Sequence, residues 1–173
     1  HLIGPAAAFL ALRKLGLPSL AAYNVLLLAT FALSGFTACW VLRRSGVSWV
    51  GALLGGWVFA FSSFRWGAVG HYQILHMQWI PPLLWFFDRV LARPAPGSAL
   101  GFLFFYVLHV TGGTYLAHLV HIPLAVLLLN RWTIHPLSFR EPQAWRVWVP
   151  VAGAAALVLA SVYVPYLQHL PFF

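Results

Sequence analysis

Residues 20–42 read LAAYNVLLLATFALSGFTACWVL and are followed at once by Arg43-Arg44. Twenty-three residues without a charge, at about 1.5 Å per residue, reach across a hydrocarbon core of about 30 Å. The rest of the chain repeats the pattern. Residues 47–62 return after the Ser45-Gly46 turn, and 73–91 form a third crossing that Pro81-Pro82 is expected to kink. Residues 99–110 and 115–129 form a hairpin around Thr111-Gly112-Gly113, and 147–167 make the last span. The reading is an all-α, polytopic transmembrane helical bundle of about six spanning helices. Residues 2–12 are too short to cross, and they form an interfacial or re-entrant N-terminal segment.

Composition agrees. The chain is 62% hydrophobic and 7% charged, with a mean hydropathy of +0.85, which excludes an ordinary soluble domain. The net charge of +8 comes from ten basic residues set singly or in pairs, a distribution that anchors topology and does not form a nucleic-acid face. Arg43, Arg44, Arg89, Arg93, Arg131, Arg140 and Arg146 fall on one side; Arg13, Lys14 and Arg65 fall on the other. The richer side is assigned to the cytoplasm. One cysteine, Cys39, permits no internal disulfide. Residues 1–12 show no charged stretch or small-residue cleavage site, and the expectation is of no signal peptide. The missing initiator methionine leads us to expect that 1–173 is a single membrane domain belonging to a longer chain or a larger complex.

Polar chemistry gathers in two places. Residues 65–79, RWGAVGHYQILHMQW, hold Arg65, His71, His76, Gln78 and Trp79. Helical numbering from Gly70 puts His71, Leu75 and Gln78 on one stripe, and Tyr72, His76 and Trp79 on the next. Two readings stand: an interfacial belt of amphipathic side chains, or a face for an anionic lipid phosphate, with Arg65 as a bidentate fork. The second cluster is Thr114, Tyr115, His118 and His121, with His109 nearby. Ionisable residues at that depth face a protein interior or a wet cavity; here too a purely structural hydrogen-bonded histidine is the competing reading. No metal-ligand spacing is present, and a porphyrin-type pigment on a lone histidine is a minor alternative. The only acids, Asp88 and Glu141, map to the cytoplasmic side. Asp88 reads as an ion pair with its neighbour Arg89, and no nucleophile motif or phosphate cradle appears.

The order YNVLLLATFALSGFTACWVLRR (23–44), WVFAFSSFR (57–65) and GHYQILHMQWIPPLLWFFDR (70–89) resembles bacterial multi-pass proteins of the GT-C glycosyltransferase superfamily, of the protein O-mannosyltransferase-like group. The likeness is best over 20–91 and looser over 1–130. It implies a membrane fold that takes sugar from a polyprenyl-phosphate carrier on the outer side of a bacterial cytoplasmic membrane. It would place Asn24, Arg65, His71, Gln73, Gln78 and Trp79 near that site. The family's AFSPYR-like end reads Ala60-Phe61-Ser62-Ser63-Phe64-Arg65 here, and its catalytic acid, expected on a first outside loop, has no counterpart. The resemblance therefore implies a fragment of a transferase lacking its acid. The alternative is a non-catalytic integral subunit of a larger membrane complex, in contact with lipid and other membrane chains and able to touch a pigment or cofactor.

Overall fold

The computed structural model describes residues 3–134 and 142–168, without the side chains of residues 73, 114–116, 143 and 165–168. Every regular element among the described residues is helical: α1 (Ile3–Lys14), α2 (Ser19–Arg44), α3 (Trp49–Ala60), α4 (Ser63–Gly67), α5 (Tyr72–Leu75), α6 (Ile80–Ala92), α7 (Pro96–Val110), α8 (Thr114–Leu119), α9 (His121–Ile134) and α10 (Pro142–Gln168). Three stretches are long and apolar enough to cross a membrane: Ser19–Arg44, Ala117–Ile134 and Ala144–Val164. Pro96–Val110 is apolar but shorter. With 12 and 13 residues, α3 and α6 reach only about 20 Å.

Glycine ends α1 and α2 in the same way. Gly16 and Gly46 have φ of 90° and 89°, which a side chain would strain. Each allows a Schellman closure, with Leu17 N–H donating to Leu12 O and Val47 N–H to Leu42 O. In both turns the first arginine, Arg13 or Arg43, donates back to the carbonyl four residues on. The N-terminal end of α1 is held by a Gly4 N–H bond of 3.1 Å to Thr111 O.

The helices pack in two groups. α2 and α3 form a close hairpin because Gly56 lies against Gly35; a Cβ on Gly56 would come within 2.6 Å of Gly35 O. Small residues on the two facing helices let the backbones approach. The larger core joins α6, α7, α9 and α10 around Leu83, Val90, Phe102, Tyr106, Val110 and Trp148. Gly101 leaves room for the Phe86 ring, and Trp148 Nε1 donates to Val90 O at 3.0 Å.

Two expectations change. The third crossing does not begin at residue 73: 61–79 is broken into short pieces, and α6 starts at Ile80 with the prolines in its first turn. Proline lacks only a donor that is orphaned there anyway, so Pro81-Pro82 starts a helix and does not kink one. Asp88 does not pair with Arg89. Adjacent helical residues point about 100° apart, and Arg89 lies over the Trp85 ring at 4.1 Å. Asp88 instead accepts from Arg131 Nε and Nη2 at 2.9 and 3.0 Å, joining α6 to α9.

Candidate functional site: a buried polar knot and an apolar cleft

The first cluster is anchored on α2. Thr30, Ser34 and Thr37 recur at helical spacing and are all buried. Thr30 and Ser34 donate to their own helix at 2.7 and 2.6 Å. Helix α4 turns Arg65 onto this stripe. Its Nη1 donates to Ser34 Oγ at 2.8 Å and its Nη2 to Thr30 O at 3.4 Å, and its guanidinium lies 4.8 Å from the Phe31 ring centre. Arg65 is only 1% exposed, so the fork expected to face a lipid phosphate is occupied inside the bundle. Burial pulls its pKa down to about 10, which leaves it cationic at neutral pH.

One turn along α2, Thr37 donates to Gln78 O at 2.7 Å. The Gln78 amide nitrogen lies 3.0 Å from His76 Nδ1; an amide NH₂ can only donate, so Nδ1 accepts. The ring also bonds the Leu108 backbone, and Gly112 makes its seat, because any Cβ there would overlap the imidazole. Burial, then the nearby His109, lower the His76 pKa to about 4, so this histidine is neutral. Two buried polar atoms of opposite type, Arg65 Nε and Gln78 Oε1, have no hydrogen-bond partner.

The expected stripes of residues 70–79 do not form, because α5 is only four residues long and His76 has left helical geometry, with ψ 54°. His76 and Gln78 are nonetheless brought together, with Trp79 half-buried against His76 and Phe105. His71 and Asn24 are exposed. The side chains of Gln73, Thr114 and Tyr115 lie outside the described residues.

The second cluster divides. Helices α8 and α9 are separated by a turn at Val120, so His118 and His121 face different neighbours. His118 Nδ1 lies 2.6 Å from Tyr163 Oη on α10. His121 Nδ1 lies 3.3 Å from His118 O, and a carbonyl can only accept. In a neutral ring Nε2 then accepts from Tyr106 O–H at 3.0 Å. With both nitrogens engaged, His121 could ligate a porphyrin metal only by giving up one of these bonds. Among the described residues, no three of His, Cys, Asp and Glu converge as a metal site.

The Tyr106–His121 pair closes one end of a cavity of about 480 Å³. Helices α6 and α7 form its floor, and α9 and α10 its sides. The small faces of Ala152, Ala155 and Ala156 make the room, and Trp132, Trp145 and Trp148 stand at the other end. The sequence reading missed this cavity and the Thr30–Ser34–Thr37 stripe. The stripe had a visible signal, three hydroxyls at i, i+4 and i+7 in an otherwise apolar helix. The cavity had only the alanines, which served equally well for packing.

No family model matches the chain, and neither a curated protein nor a solved structure does.

Proposed function

We propose that this chain is a multi-pass protein of a bacterial cytoplasmic membrane, GT-C-like in build, which holds the apolar chain of a polyprenyl-phosphate-linked sugar. The observation that carries the reading is the 480 Å³ cleft, largely apolar along its walls with the Tyr106–His121 pair at one end. Its volume lies in the ordinary range for small-molecule sites. Helices α3, α6 and α7 complete six crossings as short, tilted spans; residues 61–79 cap the bundle on its outer side, and α1 lies in the interface. The carrier's phosphate sits toward the outer end, beyond Tyr106 and His121, with Arg65 contributing positive potential and no direct contact.

A non-catalytic role for this part of the molecule is favoured by its acids. Asp88 is tied to Arg131 at the end opposite the polar knot, and Glu141 is the only other acid in the sequence. General acid–base chemistry on the outer side would need a group supplied from elsewhere. The fragment and subunit readings share the cleft and differ in where that group comes from.

The test fills the cleft. Ala156→Trp should lower retention of polyprenyl phosphate by purified protein about tenfold, read by mass spectrometry of extracted lipid. Equal retention by the variant and the parent would remove the carrier from the cleft.

A further inference from the structure

A second cavity, also of about 480 Å³, opens where α6 ends and α7 begins. Its walls carry Ser45, Trp85, Asp88, Arg89, Arg93 and Ser98, so its chemistry is opposite to that of the apolar cleft. Asp88 is held bidentately by Arg131 and its charge is already neutralised. Among the described residues neither Arg89 nor Arg93 has an acidic partner. Arg89 is presented by its stack on Trp85, an arrangement that fixes the guanidinium and leaves its donor edge open. Ser98 adds a hydroxyl, while that of Ser45 is spent on Val41 O at 2.9 Å, and α7 begins beside Ser98 with no side-chain cap, adding partial positive charge. The cavity lies at the arginine-rich ends of α2 and α6, where tryptophans beneath Arg43, Arg44 and Arg89 mark headgroup depth.

We propose that this cavity binds the phosphate of an anionic phospholipid, gripped by Arg89 and Arg93 with Ser98 as hydroxyl partner. Basic pockets between transmembrane helices on the cytoplasmic side suit such headgroups. The inference goes beyond the carrier reading and uses none of the residues of the apolar cleft. Loss of one site therefore leaves the other measurable.

The experiment reconstitutes the chain in phosphatidylcholine bilayers with a minor fraction of phosphatidylglycerol, and measures phosphatidylglycerol binding by native mass spectrometry. Arg89→Gln with Arg93→Gln should weaken it roughly 10- to 30-fold. Arg43→Gln with Arg146→Gln removes the same charge from the same end without touching the cavity, and should change it less than about threefold. Equal losses in both pairs would make the attraction diffuse surface charge and overturn the proposal, as would no loss in either. Ser98→Trp, which fills the cavity and keeps every charge, should also abolish binding; normal binding in a folded Ser98→Trp protein overturns it independently. Inorganic phosphate at millimolar concentration should fail to displace the lipid. Displacement would assign the site to free phosphate and overturn the lipid.

Discussion

Arg65 is a cation held by one hydroxyl, one carbonyl and an aromatic face, with no carboxylate among its partners. Arg65→Ala should cost about 2–3 kcal/mol of stability in detergent, because it strips a charged donor from buried acceptors. Arg65→Leu should recover much of that loss, since an apolar replacement leaves less unsatisfied. If Arg65 acts on the carrier through its field, the leucine variant will nevertheless bind polyprenyl phosphate several-fold more weakly; unchanged binding would reduce the residue to a structural one. His76 makes a pH prediction. Its folded pKa of about 4 lies below the ordinary 6.5, so between these values the unfolded chain binds the proton and the folded chain does not. Stability is full above about pH 6.5 and falls as the pH drops toward 4, by on the order of 3 kcal/mol. His76→Phe should flatten that part of the unfolding profile. Arg65, His76 and Gln78 were legible as a cluster because polar residues in an apolar chain demand partners. Their partners on α2 were not, because a serine or threonine in a helix can be satisfied by its own backbone, as Thr30 and Ser34 partly are.

Contacts between helices depend on what is absent from certain faces. Gly56→Ala should destabilise the α2–α3 hairpin by about 1–3 kcal/mol, measured by unfolding in mixed micelles, since the new methyl meets the Gly35 carbonyl. Asp88→Asn should cost no more than about 1 kcal/mol. Its ion pair is partly exposed, 26% for Arg131 and 40% for Asp88, and water screens it; a larger loss would mean that the α6–α9 contact carries more of the fold than its geometry indicates. The long helices were plain from hydropathy, and their ends from Arg-rich turns and glycines. The continuation of the first break through 73–79 and the break at Val120 were not. The first carries aromatic and aliphatic residues that suit a helix locally, but its backbone is diverted so that Arg65, His76 and Gln78 can reach α2 and α7.

Across the whole molecule, large apolar side chains face outward on every long helix: Leu28 and Phe36 on α2, Val126 and Leu129 on α9, Val149 and Leu157 on α10. Such a surface is stable only against lipid or other apolar chains. In a Cys39→Ala background, Ser45→Cys should react with an impermeant thiol reagent from the cytoplasmic side and His71→Cys from the outer side. The reverse pattern would invert the assignment and move the anionic-lipid cavity to the other leaflet.

The buried guanidinium also imposes an order of assembly. Arg65 reaches neutral company only on Thr30 and Ser34, and α2 leaves the ribosome before residue 65 does. During insertion the charge thus meets a docking surface already in place. A circular permutant that delivered α2 last would leave the guanidinium without its hydroxyl and carbonyl partners while it waited. Such a permutant should be degraded or retained at the translocon, although its finished contacts would be the same.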